Sequence, residues 1–373
     1  MRNKWCDIAV SWLRGLYVRF GAAGYLPSGA GSYCSSRRYV VVSAVYQVQD
    51  YLDDFFRSME RQTLDFKRHV QLVMVVDGAT DLSADICLKW QRSYPHNIRV
   101  VQKANGGVSS ARNLGIENAG ADWITFIDPD DFVDRLYFES VDRFLDSPDA
   151  ARLCMVSCRL MRFYERAGLL RDNHPLRFRF SSPDTAYRVA DIGARIQMSA
   201  ASAFFRYDLL RDKNILFDEK VFPVFEDAHF IARYLQSCRD SYCGHVRQAI
   251  YFYRKRKKRD SASDGRITHP ARYEDCIRYG CLALLQDAAA EGEVPVWLQN
   301  MVLYHILSEV QRVEEGEKIS PSQKETFYKL CHACLVYMRK EVLDKFSLYP
   351  LSPSVAAWLQ ENVRPDQDYV FEN

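Results

Sequence analysis

Four short apolar runs constrain the fold of this chain more than any other feature. They cover residues 39–45 (Tyr-Val-Val-Val-Ser-Ala-Val), 70–76, 98–101 and 123–127. Each is short and rich in β-branched or aromatic residues, the pattern of a buried strand. Between them the apolar period changes. Tyr51, Leu52, Phe55, Phe56 and Met59 recur at helical spacing, residues 84–90 form a second helical stretch, and residues 108–118 a third after the turn Asn105-Gly106-Gly107. Strand and helix alternating through short connections predicts an α/β fold: a mostly parallel sheet with helices on both faces.

The fourth run ends in Asp128-Pro129-Asp130-Asp131. Open α/β sheets bind ligands at the carboxyl ends of their strands. Carboxylates crowded there repel one another and call for a cation. Hard oxygen donors suit Mn²⁺ or Mg²⁺, ions that commonly accompany a phosphate-bearing substrate. Asp128 and Asp130, two apart, can face one cleft. On its own an acidic triplet is equally a solvated turn that caps the next helix. Its position after three strand–helix units favours the metal reading.

A chain of 373 residues, 48% hydrophobic and 13% aromatic, can bury a large core. A net charge of +2 supplies no global field for nucleic acid. The eleven cysteines are scattered, and Cys331-His332-Ala333-Cys334, the one Cys-x-x-Cys, sits in an apolar helical stretch without a second pair. That context predicts core packing rather than zinc. No signal peptide or transmembrane stretch is evident, so a cytoplasmic protein with free thiols is expected. Trp5, Ile8, Ala9, Trp12, Leu13, Leu16 and Phe20 fall on one helical stripe beside Arg2, Lys4, Arg14 and Arg19. Two readings stand: residues 1–20 lie on the inner face of the cytoplasmic membrane, or they pack on their own catalytic domain or a second subunit as a homo-oligomer contact. Gly- and Ser-rich residues 21–36 read as a linker. The expected domains are 1–36, a catalytic domain at 37–265 and a helical module at 266–373.

Further along, residues 152–164 and 176–180 predict strands or a hairpin with His174-Pro175 at its turn. Residues 200–205 predict a strand running into Arg206. Glu226-Asp227 opens a helical stretch, where negative charge is favourable. Residues 249–253 predict a last strand. Six consecutive bases, Arg254 to Arg259, and then Ser261 follow it. From about residue 269 the pattern is helical, with stretches at 273–285, 296–310 and 327–343.

Residues 41–52, the run Val75-Val76-Asp77-Gly78-Ala79-Thr80-Asp81, residues 105–115 and residues 128–131 stand in the order and spacing of family 2 glycosyltransferases. The chain resembles that family over roughly residues 38–265. The resemblance implies the GT-A fold and a nucleotide-sugar donor, a UDP-sugar foremost. It implies a bacterial surface glycan or polyol-phosphate polymer as acceptor, to which the turn at His174 also points. Residue by residue, it places Ala44, Val45, Tyr46 and Asp77 around the base. Asn105, Gly107, Ser109, Arg112 and Asp128 fall along the ribose and diphosphate, and Asp130 with Asp128 on the metal. Arg254, Arg256 and Ser261 fall on the segment that closes over the donor diphosphate, and Arg206 is a further substrate- or nucleotide-binding position. Asp227, beside Glu226, is the base that takes a proton from the attacking hydroxyl. Three positions depart from the family pattern: Val76 replaces the first of a paired aspartate, and Ala44 and Gln47 replace its proline and asparagine. A nucleotidyltransferase would carry a Gly-rich basic loop where Tyr46-Gln47-Val48-Gln49-Asp50 stands. A non-catalytic glycan-binding relative has no need of Asp130, Asp227 and Ser261 together.

Overall fold

In the computed structural model of the chain the described residues are 31–148, 150–257, 269–317 and 319–363. The amphipathic stretch at 1–20 and Ser261 lie outside them. Ten strands form: β1 (Tyr39–Val45), β2 (Val70–Asp77), β3 (Ile98–Lys103), β4 (Trp123–Phe126), β5 (Phe132–Val133), β6 (Leu153–Tyr164), β7 (Leu169–Arg171), β8 (Thr185–Arg188), β9 (Ala203–Arg206) and β10 (Tyr242–Lys255). The main path of the sheet is β3-β2-β1-β4-β9-β6-β10-β5, with β7 added to β6.

The first four strands pair in parallel, as alternation with helices requires. β1 and β4 are buried almost throughout, the mark of strands covered on both faces. Helix Gly107–Glu117 lies so close to β1 that a Cβ on Gly115 would come within 2.1 Å of Val42 Cγ1. Beyond β4 the sheet becomes mixed, because β9 runs antiparallel to both β4 and β6. β1 has β2 on one side and β4 on the other, so strand order reverses beside it and a crevice opens at the carboxyl ends. Val42 pairs with Phe126. Four residues beyond that pair on the two chains stand Tyr46 and Asp130.

The described residues divide into two compact units. The first holds this sheet and its helices. The second draws on Tyr187–Ala200, Phe217–Ser241 and Ser261–Asn373. Its central helix, Val296–Glu314, buries Trp297, Met301, Ile306 and Val310. A buried Arg272–Glu309 pair, at 2.5 and 2.7 Å, closes against the same helix. Cys331 and Cys334 are wholly buried packing residues of helix Pro321–Leu335. Among the described residues no helix is long and apolar enough to cross a membrane.

Two sequence expectations need correction. Residues 176–180 are not a strand: Pro175–Phe180 is a 3₁₀ helix. Pro175 sits in its first turn, and His174 caps it by accepting a 3.2 Å hydrogen bond from Leu176 N. Burial pushes the His174 imidazole down to about 3, so it is neutral and free to accept. The hairpin partner of β6 is β7 instead. The helix expected at 327–343 breaks into Pro321–Leu335 and Lys340–Asp344. At the break Arg339 N donates to Gln299 Oε1 at 2.7 Å, leaving the helical ladder. The first piece begins early because Ser320 and Gln323 form a capping box.

The first unit is tied below the sheet by Asp142, which is buried. Its carboxylate accepts from Tyr33 at 2.8 Å, Ser35 at 2.5 Å and Tyr39 at 2.5 Å, and pairs with Arg37 at 3.3 Å. Burial alone would raise this carboxyl. The three hydroxyl bonds and the Arg37 charge outweigh it and hold the group below the ordinary range. Its stabilisation is therefore complete above about pH 4, the unfolded value, and is lost as pH falls through the lower folded value. Asp142→Ala should cost about 3 kcal/mol in urea unfolding at neutral pH. Between about pH 6 and pH 3, wild type should lose more stability than Asp142→Asn; parallel losses would show that this carboxylate is not the titrating tie.

Candidate active site

The three aspartates after β4 have three different environments. Asp131 is fully buried. It accepts from Tyr251 Oη at 2.5 Å and from Arg254 N at 2.7 Å. Burial pushes its carboxyl well above the usual range, and the neighbouring Asp130 and Asp128 charges add to this. Burial likewise raises the Tyr251 hydroxyl. Asp131 is thus a structural group whose two oxygens are used inside the protein. Asp128 and Asp130 remain at the strand edge. Arg112 Nη2 donates to Asp128 Oδ1 at 2.9 Å, and Arg256 Nε donates to Asp130 Oδ2 at 2.8 Å. Each of the two carboxylates thus meets a guanidinium.

Asp77 ends β2 and is buried. Its Oδ1 accepts from Lys103 Nζ at 2.7 Å and Gly106 N at 2.9 Å, and its Oδ2 from Gly107 N at 2.8 Å. Asn105 Nδ2 donates to Asp77 O at 3.0 Å. The aspartate therefore caps the start of helix Gly107–Glu117 and shapes the turn. Gly107 needs its φ of +87° at this turn. Ser109 and Arg112 are buried on the same helix. Ahead of the turn Tyr46 is 51% exposed, beside Ala44 and Val45 at the end of β1. Gln47, at φ +52°, accepts from Thr80 N and Asp81 N, each at 3.1 Å. It thereby ties the loop after β1 to the loop after β2. Val76 is buried where the family pattern has an acid.

The arginines separate by role. Arg254 has a side chain only 4% exposed. It donates to Asp54 at 2.9 Å, to Glu165 at 3.0 Å and to Asp130 O at 2.7 Å. Its guanidinium is committed to the protein, which corrects its assignment to donor phosphate. Arg256 lies over the Tyr51 ring at 4.7 Å and reaches Asp130. Arg206 also needs correction. It pairs across the sheet with Trp123, at the amino end of β4 and away from the carboxylates. There it contacts Asp208 and the Ala151 carbonyl.

In the second unit, Glu226 and Asp227 open helix Glu226–Ser237 as expected. Asp227 Oδ2 accepts from Ala200 N at 2.9 Å and Ser199 Oγ at 3.3 Å. Phe225, immediately before the pair, holds a left-handed φ of +73°.

Residues 40–208 match the sequence model described as Glycosyl transferase family 2. They form a family 2 glycosyltransferase domain. The chain is 29% identical over 270 residues to the minor teichoic acid biosynthesis protein GgaA of Bacillus subtilis (strain 168), covering 71% of this chain and 58% of that protein. It is 30% identical over 308 residues to GgaB of the same organism, covering 81% and 33%. The chain thus spans just over half of one relative and a third of the other. Among solved structures, the 1-349 fragment of S. aureus TarS in complex with UDP-GlcNAc superposes with a TM-score of 0.65 over 87% of each chain, at 16% identity. That likeness is one of fold, and the family 2 domain has the GT-A architecture.

Sequence reasoning about this family 2 domain missed Tyr51, Asp54 and Glu165, the partners that seat the two arginines. Tyr51 and Asp54 stand at the start of a helix whose apolar spacing reads as core. Glu165 carries no sequence signal, because only the pairing of β6 with β10 brings it near Arg254. Arg254→Ala should cost about 2 kcal/mol, since it removes a buried guanidinium hydrogen-bonded to Asp54, Glu165 and the Asp130 carbonyl. Urea unfolding should show this loss to exceed that of Arg256→Ala; equal losses would remove the distinction between the two arginines.

Proposed function

We propose that this chain transfers a sugar from a nucleotide-sugar, foremost a UDP-sugar, to a hydroxyl of a teichoic-acid-like glycan or polyol-phosphate polymer. The observation that carries the reading is the pair Asp128 and Asp130. Both stand at the carboxyl edge where β1 and β4 run side by side, and each is held by an arginine. The TarS fragment of the same fold, solved with UDP-GlcNAc and with UDP, supports a uridine donor. GgaA and GgaB, named for teichoic acid biosynthesis, support the acceptor class. A poly(ribitol-phosphate) β-N-acetylglucosaminyltransferase, 21% identical over 239 residues, adds to it.

In this reading the half-exposed Tyr46 ring flanks the base, with backbone contacts from Ala44 and Val45. Asp77 acts by fixing the Asn105–Gly107 turn, and Ser109 and Arg112 line the side that leads to Asp128. Because Asp77 already caps the helix start, the diphosphate falls to Arg256, whose planar paired donors suit phosphate oxygens. Ser261 belongs to the same basic segment and is assigned with it. Asp128 and Asp130 are hard oxygen donors two residues apart. They fit Mn²⁺ or Mg²⁺. Among the described residues no group of three or more His, Cys, Asp or Glu could hold a metal, so donor phosphates would complete the shell, as is usual for Mg²⁺. When bound, such an ion supplies Lewis-acid stabilisation of the leaving diphosphate.

Asp227 takes the acceptor proton as the hydroxyl oxygen bonds to the anomeric carbon and the bond to the diphosphate breaks. A single in-line displacement inverts that carbon. The bonds from Ala200 N and Ser199 Oγ orient the carboxylate, and a rigidly held base is what proton transfer needs.

The test compares two variants. Asp227→Asn should keep UDP affinity by calorimetry yet lose about a hundredfold or more in transfer, because an amide cannot take the proton. Arg256→Ala should weaken UDP binding about tenfold and slow transfer as well. Near-wild-type transfer by Asp227→Asn would move the base to Glu226. Pyrophosphate release from a nucleoside triphosphate and a sugar phosphate would replace the reading with a nucleotidyltransferase.

A further inference from the structure

The pair Glu226-Asp227 follows a strained residue. Phe225 is 7% exposed and sits at φ +73°, a conformation unfavourable for a bulky side chain that persists only where surroundings hold it. Three contacts hold it here, from two elements of the helical part of the unit. The Phe225 ring stacks on the His305 ring, centroids 4.5 Å apart and planes at 30°. Cys276 Sγ donates to Val224 O at 3.1 Å. Gly280 leaves the space that the Phe225 ring and Val221 fill: a Cβ there would lie 3.0 Å from Phe225 Cδ1 and 3.1 Å from Val221 Cγ1.

Cys276 and Gly280 both lie on a π-helix, Cys276–Leu282. A π-turn is a rare deformation that changes which side chains face a neighbour, and it concentrates at functional sites. The contact between Cys276 Sγ and His305 Nε2 is 3.4 Å. Burial pushes the His305 imidazole down to about 4, so the ring is neutral. With its proton on Nε2 it donates to the sulfur while the thiol donates to Val224 O, and both contacts are satisfied. On the other side of Phe225, His229 N donates to the Phe225 carbonyl at 2.8 Å, which joins the strained residue to the helix carrying Asp227.

We infer that the π-helix and His305 form a positioning device for the carboxylate of Asp227, with Gly280, Cys276 and His305 as positioning residues acting through Val224 and Phe225. This rests on the reading of Asp227 as the base. It gives the helical part of the second unit a role that its sequence, lacking any catalytic constellation, does not suggest.

The test uses the full chain and the nucleotide-sugar that wild type turns over fastest among UDP-, GDP-, CDP- and TDP-sugars. Gly280→Ala adds one methyl group against Phe225. It should lower kcat about tenfold, as expected for a small misplacement of a catalytic group, with donor KM and melting temperature close to wild type. Hydrogen exchange should rise in peptides covering 221–230. Leu359→Ala, on helix Pro353–Asn362, is the control for stability: it should lower the melting temperature and leave kcat and exchange at 221–230 unchanged. His305→Phe, which keeps a stacking ring, should retain more kcat than His305→Ala. Unchanged kcat and exchange in Gly280→Ala, with Asp227→Asn inactive, would overturn the positioning role and leave the base reading intact. An active Asp227→Asn would remove the base reading and the positioning role with it.

Discussion

The buried acid Asp131 is the contact on which the arrangement of the first unit depends. Its two oxygens take the Tyr251 hydroxyl and the Arg254 amide, so the turn after β4 is fastened to β10, a strand 120 residues later in the chain. Burial pushes both the carboxyl and the phenol up from their ordinary values, as expected where a charged form would be desolvated. Asp131 fixes the turn from inside. Asp128 and Asp130 are thereby presented at the sheet edge, and Arg254 is brought beside Asp54 and Glu165. Arg256, two residues on, reaches Asp130.

Charge at this edge is matched pair by pair: Arg112 with Asp128, Arg256 with Asp130. In the proposed reading, a diphosphate with its cation would bring charges of both signs to the Arg256–Asp130 pair. Arg254, with a side chain only 4% exposed, bridges Asp54, Glu165 and the Asp130 carbonyl, whereas Arg256 reaches the Asp130 carboxylate and lies over the Tyr51 ring.

Much of the first unit was legible in the sequence because local pattern and tertiary environment agree there. The runs at 39–45, 70–76, 98–101 and 123–127 are strands within a residue or two, since each is short, apolar and bounded by turn residues. Asp128 and Asp130 were legible as a pair because they follow directly on the apolar run that forms β4. Arg206 was misread because its place depends on β9 running antiparallel to β4, which carries it to the far end of the sheet. Arg254 was misread because its acidic partners lie 200 and 89 residues away. The hydrogen bonds of Asp77 were not legible, since a sequence does not show that the glycine turn closes on that carboxylate. The strand expected at 176–180 failed on His174-Pro175, where a cap and a helix-starting proline outweigh β-forming neighbours.

The central claim is that Asp128 and Asp130 bind a nucleotide together with a divalent cation. Calorimetric titration of UDP into wild type, once with Mn²⁺ and once with excess chelator, tests it most directly. Affinity should be at least about tenfold higher with the metal, and Asp130→Asn should erase that difference while the protein stays folded. Equal UDP affinity with and without metal in the wild type would contradict the account.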